Sequence, residues 1–313
     1  MGTVNDPEMS ERFDLDAQRA IKRALARDAY ALGLVRIANP DLAEYRWLVA
    51  SHRGVFAVAE DRVCTAIHGW FFGICRHQNQ FYLFENCGLR DRASELGRIV
   101  RIELIDGSLA NPQVLVNGLN ANCHQVRVID GLLCVVDTAN QAIRRYTLEG
   151  KLVDIKRPFP VVDSADRTGR YLHLNGVAKI GSRIAVMRHN GKALPEKASE
   201  LAWLDADWQP VSFHALDGRW CHDIVEDEHG TIWHCGSKAG ELLASDGRKI
   251  SIADDMLTRG LAISPDRVIV GKSTFGIRKE RDSLPSGVVI LDRAFNRISD
   301  LELSGPPTDI ALL

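Results

Sequence analysis

His124, His173 and His222 stand out because each lies at the head of a β-branched, hairpin-like run. His124 and His222 open their runs, and His173 lies two residues before Asn175, which opens another. Neutral imidazole nitrogen is a favoured ligand for Zn, Mn, Fe, Ni or Cu, and a catalytic metal typically keeps three protein ligands with one position left for water or substrate. The three histidines are therefore a candidate site for a divalent transition metal. His68 and His189 are further candidates beside them. Without a metal the same rings are acid and base groups.

Carboxylates and cations recur at matching places in the same runs. Glu85 or Asp137 would serve as a base if burial raised its pKa. Arg188, Arg259 and Lys272 form a basic arc suited to orienting an anionic small molecule, a carboxylate or phosphate. Phe72, Asn175, His189 and Cys235 complete the candidate substrate contacts, and Trp70, Phe71 and Phe72 offer rings on which a sugar or aromatic group would stack. Cys235 reads as a soft ligand or a reactive thiol. Cys123 and Cys221 should instead pack between sheets, because neighbours along a strand face opposite ways.

A repeat places these residues. In His124-Gln-Val-Arg-Val-Ile-Asp-Gly-Leu-Leu-Cys-Val-Val-Asp137 two β-rich halves flank the turn Asp130-Gly131, a hairpin signature. The layout recurs at Phe72 to Glu85, Asn175 to Arg188, His222 to Cys235 and Arg259 to Lys272, always thirteen positions from opening to closing residue. A sixth opening, Thr308, meets the end of the chain. Successive openings are 52, 51, 47, 37 and 49 residues apart, enough for a four-stranded antiparallel sheet each. The chain is thus expected to be an all-β, six-bladed propeller over residues 54–313. Val55–Glu60 and Arg62–Ile67 would supply outer strands of the sixth blade, pairing the two chain ends. Opening and closing residues would form two polar rings at one mouth of the channel, with Glu60 the sixth closing member. The loops Asn190–Lys197 and Ser273–Pro285, the latter with Arg278, Lys279 and Arg281, would form a rim.

Residues 12–53 have another texture. Leu15, Ile21, Leu25 and Leu32 fall near helical spacing with Asp14 or Asp16 as caps, and Asp41 to Ala50 allows a second helix. The basic face Arg19, Lys22, Arg23, Arg27 reads as solvated, or as a docking face for an acidic protein partner. Residues 1–11 are expected to be disordered.

Composition sets the limits. The 313 residues are 45% hydrophobic and 26% charged, as in an ordinary globular chain. Lys and Arg total 39 against 41 Asp and Glu, a net charge of -2, so no global field points to nucleic acid. The start of the chain has no signal-like apolar run and no stretch reads as a membrane span, so a cytoplasmic protein without membrane attachment is expected. Seven cysteines without a Cys-x-x-Cys pair argue for reduced thiols. There is no phosphate-binding Gly-x-x-x-x-Gly-Lys-Ser/Thr, no Gly-x-Gly-x-x-Gly, no Gly-x-Ser-x-Gly and no His-Glu-x-x-His.

The hairpins Asn175-Gly-Val-Ala, His222-Asp-Ile-Val-Glu-Asp-Glu-His-Gly-Thr-Ile-Trp and Gly260-Leu-Ala-Ile-Ser-Pro-Asp resemble those of six-bladed propellers of the NHL, gluconolactonase and strictosidine synthase type. Asn122-Cys-His-Gln-Val, Leu174-Asn-Gly-Val-Ala and Thr258-Arg-Gly-Leu-Ala-Ile-Ser are similar to a bacterial propeller family of unknown function. The gluconolactonase likeness implies a divalent cation at the channel mouth held by a Glu and Asn/Asp ligands, with Asn175 matching the Asn. His222-Asp223 stands where that family has Asp-Gly, and no Glu-Gly-Pro opens the first blade. These departures move the expectation from oxygen-bound calcium to a nitrogen-bound transition metal. The function expected is a metal-dependent lyase, hydrolase or isomerase acting on an anionic small molecule. The alternatives are a scaffold for a protein or carbohydrate, and metal-free histidine acid–base catalysis.

Overall fold

At the Asp130-Gly131 turn both residues take positive φ, +51° and +73°, so Ile129 pairs with Leu132 across a two-residue loop. That is the turn whose twist matches a right-twisted antiparallel pair. The computed structural model describes residues 7–276 and 281–313, apart from 90–93, 164, 167, 192 and 194. It shows six antiparallel sheets. From the innermost strand outward, the first blade is Phe71–His77, Gln80–Asn86, Gly97–Ile105, Ser108–Leu119; the second is Cys123–Ile129, Leu132–Asp137, Ala142–Tyr146, Leu152–Lys156. The third is His173–Ile180, Arg183–His189, Glu200–Leu204, Pro210–Ala215; the fourth is His222–Glu226, Ile232–Gly236, Glu241–Ala244, Lys249–Ser251. The fifth is Met256–Ile263, Val268–Thr274, Ser286–Leu291, Arg297–Leu303. Innermost strands pack side by side in ring order, and the apolar core lies in layers between neighbouring blades.

The sixth blade joins the chain ends. Its innermost strand is Pro307–Leu312, followed outward by Trp47–Ser51, Gly54–Val58, Val63–His68 and the short Arg36–Ile37. The helix allowed over Asp41 to Ala50 is therefore corrected: Trp47–Ser51 is a strand, buried at every residue. A short, fully buried run carries no period that separates strand from buried helix, and the place beside Pro307–Leu312 decides it. Glu60 consequently lies beyond the third strand, paired with Arg46 and Arg267 at 3.1 and 2.6 Å, and is not a closing residue. The propeller begins before residue 54.

A β-bulge interrupts each innermost strand where it leaves its neighbour. Phe71 pairs with Glu85 and Gly73 with Phe84, leaving Phe72 as the extra residue. The same slip leaves out His124, Asn175 and Thr308, and places Asp223-Ile224 and Arg259-Gly260 opposite single residues. Bulges re-aim side chains and often border functional sites. The residue after each opening alternates between glycine and a long acceptor: Gly73, Gln125, Gly176, Asp223, Gly260, Asp309. Gln125 accepts from Val177 N–H at 2.8 Å, Asp223 from Gly260 N–H at 2.8 Å and Asp309 from Ile74 N–H at 2.9 Å. Each acceptor thus pins the next blade. Glycine is required opposite: a Cβ on Gly73 would lie 2.8 Å from Val126 N.

The helix runs Pro7–Ala31, starting inside the segment expected to be disordered; residues 1–6 lie outside the described residues. Its expected apolar stripe is not the buried one. Ile21, Leu25 and Leu32 are exposed, while Ala26 and Ala29 pack on Trp70, Cys87 and Leu89. Small side chains let the backbone approach the blade. Lys22 is not on a solvated face either, since its ammonium lies 4.9 Å over the Trp70 ring and donates to His52 O at 2.7 Å. Gly33, at φ +65°, ends the helix; Leu34 N–H bonds Ala29 O and Gly33 N–H bonds Tyr30 O, the Schellman pattern. No helix among the described residues is long and apolar enough to cross a membrane.

Candidate functional site

The bulges bring a row of aromatic rings to one mouth of the channel. Along it, centroid separations are 4.7 Å for His52–Trp70, 5.0 Å for His52–Phe72, 5.8 Å for Phe72–His124, 4.9 Å for His124–His173 and 4.7 Å for His173–His189. The Arg259 guanidinium lies 5.5 Å over Phe72. Burial above all, then the Arg259 charge with His189 and His173, hold His222 well below the usual imidazole range. His222 Nδ1 is 2.9 Å from Ser237 Oγ.

Hydrogen bonds fix which nitrogen carries the proton. His124 Nδ1 is 3.0 Å from Asn122 O; a carbonyl only accepts, so Nδ1 bears the hydrogen and the neutral ring has its lone pair at Nε2. His189 is the reverse. Its Nδ1 accepts from Gly191 N–H at 3.0 Å, so the neutral ring carries its hydrogen at Nε2. Burial pulls the His189 pKa down to about 4, slightly opposed by Glu196, which keeps it neutral near pH 7. His173 lies between the two, its Nδ1 3.3 Å from the Tyr171 hydroxyl. Among the described residues, buried Asn175 Oδ1, whose Nδ2 donates to Cys221 O at 2.7 Å, and Trp70 Nε1 lack a hydrogen-bond partner. Such atoms are costly unless a ligand satisfies them.

The structure does not bring the closing residues into this group. Glu85 is buried against Arg98 at 2.7 Å. Asp137, fully buried, takes Arg144 Nε at 2.7 Å and Asn140 Nδ2 at 2.9 Å. Arg188 binds Glu200 at 2.8 Å between the rings of Phe159 and Phe213, and Lys272 binds Asp300 at 2.5 Å. The reason is register. Each lies on the second strand opposite a residue buried between blades, Phe71, Cys123, Leu174 or Thr258, and cross-strand partners share a face. Cys235 is buried with its thiol 4.0 Å from Gly260 O; burial and Asp223 push its pKa well up, so it stays protonated. Cys123 and Cys221 are buried between blades. His68 is exposed on an outer strand, Thr308 spends its hydroxyl on backbone carbonyls of Phe71 and Ala50, and Arg278 and Lys279 lie outside the described residues.

Other groups at the channel were not singled out from the sequence. His52 Nδ1 is 2.8 Å from Asp282 Oδ1, in the loop expected as a rim. Within the channel wall Arg127 forks onto Asp309 at 2.7 and 2.8 Å; burial opposes its charge, but Asp309 more than compensates and its pKa is raised. Burial, then the Asp309 charge, push Asp223 up to about 6 against the pull of Arg127. The signal was present as the opening-plus-one alternation of glycine with Gln125, Asp223 and Asp309.

These shifts imply acid lability. His189 and His234 are each held at about 4, so between the ordinary 6.5 and 4 the unfolded chain binds protons that the folded one refuses. Their contribution is complete above pH 6.5 and is lost as pH falls towards 4, about 3 kcal/mol each. Asp223, shifted upward, has the opposite sign and offsets about 3 kcal/mol. Thermal unfolding is expected to show a net loss of stability from pH 7.5 to 4.5, to which His222, held well below the usual range by burial, adds; a flat profile would contradict the buried neutral histidines.

Among the described residues no three His, Cys, Asp or Glu side chains are grouped so as to hold a metal ion. His124 and His173 meet edge to face, at 87°, and His222 is held on Ser237.

No protein-family model and no curated protein matches the chain. Solved structures do. A protein of unknown function from Bacteroides caccae is 13% identical with a TM-score of 0.56, covering 87% of this chain and 99% of its own. A chain of a nidogen/laminin complex is 8% identical with a TM-score of 0.60, covering 85% and 97%. A catalytically inactive virginiamycin B lyase variant from Staphylococcus aureus, solved with quinupristin, is 13% identical over 74% of this chain and 83% of its own, with a TM-score of 0.45. At such identities the likeness is of fold alone, and propellers serve both enzymes and scaffolds.

Proposed function

We propose that the channel mouth is a metal-free acid–base site that abstracts a proton next to a carbonyl or carboxylate of a small anionic molecule, for lyase or isomerase chemistry. The observation that carries this reading is the opposed pair of tautomers on either side of His173. His124, with its lone pair at Nε2, takes the proton and becomes imidazolium. His189 stays neutral and donates a hydrogen bond from Nε2 to the oxygen on which negative charge develops. Arg259 holds the anionic group. Phe72 packs against a flat part of the substrate, and Asn175 Oδ1 accepts from one of its donors. His124 then returns its proton to the product, so no other reactant is consumed.

The test is proton exchange in heavy water, followed by NMR across a panel of small 2-oxo acids with chelator-treated protein. Exchange at the carbon beside the carbonyl is expected for at least one compound. Arg259→Gln is expected to raise its KM about tenfold or more, since a charged hydrogen bond contributes about 1.5–3 kcal/mol. Exchange that chelation abolishes and a single metal restores would overturn this reading in favour of a metal on His124, His173 and His222. No exchange with any compound would move the assignment to a non-catalytic scaffold.

A further inference from the structure

One inter-blade layer is incomplete. Of the six layers, that between the third and fourth blades has the fewest buried apolar members, among them Met187, Leu201, Leu216 and Ile224. A cleft of about 330 Å³ opens beside it, walled by Leu201, Trp203, Leu216, Ile232 and Leu243. It lies between second, third and fourth strands, not at the histidine row. The same cleft is lined by His234. The fourth blade differs in register from its neighbours: His222 pairs directly with Cys235, which turns Cys235 into the layer with the fifth blade and His234 towards the third blade and the cleft. His234 is 4% exposed, and its Nε2 has no hydrogen-bond partner among the described residues. An imidazole in an apolar position with an unsatisfied nitrogen is a standing cost to the fold, and an aliphatic side chain would avoid it.

The charges around the cleft are already balanced. Lys249 pairs with Asp217 at 3.2 Å and Arg248 with Asp246 at 2.7 Å, so the cleft gives no net attraction to an ion. Burial keeps His234 neutral, with its pKa pulled down to about 4 against a weak opposing effect of Asp217. The volume is at the small end for ligand pockets. We propose that this cleft binds a neutral aromatic alcohol of about two fused rings, its rings against Trp203 and the leucines and its hydroxyl hydrogen-bonded to His234 Nε2. A hydroxyl both donates and accepts, so it satisfies the imidazole in either tautomer. This site is independent of the proposed acid–base chemistry.

The probe is 2-naphthol, with naphthalene as the matched ring lacking the hydroxyl, measured by equilibrium dialysis and by quenching of tryptophan fluorescence. One 2-naphthol per chain is expected, bound about tenfold more tightly than naphthalene, the value of one well-made hydrogen bond. His234→Leu should equalise the two probes while raising Tm, a combination that unfolding cannot produce. His234→Gln, which retains a hydrogen-bonding end, should keep part of the preference, and His124→Ala should keep all of it. Equal preference in wild type and His234→Leu, loss of binding in His124→Ala, or no saturable binding would overturn the proposal.

Discussion

Arg98→Met is expected to destabilise the protein by about 4 kcal/mol, because it leaves a buried carboxylate without its cation. Arg98 is 0% exposed and Glu85 3%. The guanidinium binds Glu85 and also donates to Ala29 O at 3.0 Å and Leu34 O at 2.6 Å, so one side chain closes the end of the helix and ties it to the first blade. Burial raises the Glu85 pKa even against the pull of Arg98, which identifies a desolvated pair. In a chain of this length about 4 kcal/mol corresponds to a fall in Tm of about 6 °C. The double variant Arg98→Met/Glu85→Leu should recover much of the loss, since a buried pair replaced by apolar groups of similar size is close to neutral. Differential scanning calorimetry of the single and double variants measures both. Equal Tm values for wild type and Arg98→Met would show that the helix is not held by this pair.

His124→Ala is expected to lower turnover by about 10²- to 10⁴-fold, the usual contribution of a positioned general base, once a substrate has been found by proton exchange. The His124 Nδ1 hydrogen bond goes to the carbonyl of Asn122, two residues away, so its loss unties no distant element. Added imidazole should restore part of the rate by entering the space left by the ring. His189→Ala removes a hydrogen-bond donor instead of the base, so its loss should not be rescued by imidazole. Full activity in His124→Ala would remove His124 from the mechanism. Loss without rescue, together with a lowered Tm, would reassign it to a structural role.

Much of the architecture was legible in the chain. Five hairpins with thirteen positions from opening to closing residue, and turns such as Asp130-Gly131, specify blades through local physics alone: period-two alternation, β-branched runs and a turn that requires positive φ. The opening residues were legible too, because in five of the six copies a polar residue breaks the apolar pattern at the same place. Arg259, His124, His173 and His189 do meet at one mouth. The strand Trp47–Ser51 was not legible, because a fully buried run has no alternation to read, and His52 was lost with it.

The closing residues show what only the tertiary structure decides. In sequence, Glu85, Asp137, Arg188 and Lys272 mirror the opening residues and look equally fit for a channel mouth. A single extra residue in each inner strand re-aims the opening side chains but not their partners across the hairpin, and a one-residue slip reverses the face. The partners therefore turn to the sheet faces, where low dielectric makes an isolated charge untenable, and each takes a counter-ion: Arg98, Arg144, Glu200 and Asp300. Local periodicity determined the blades and the candidates; the bulges, and the pairing of charges forced by burial, decided which of those candidates share a site.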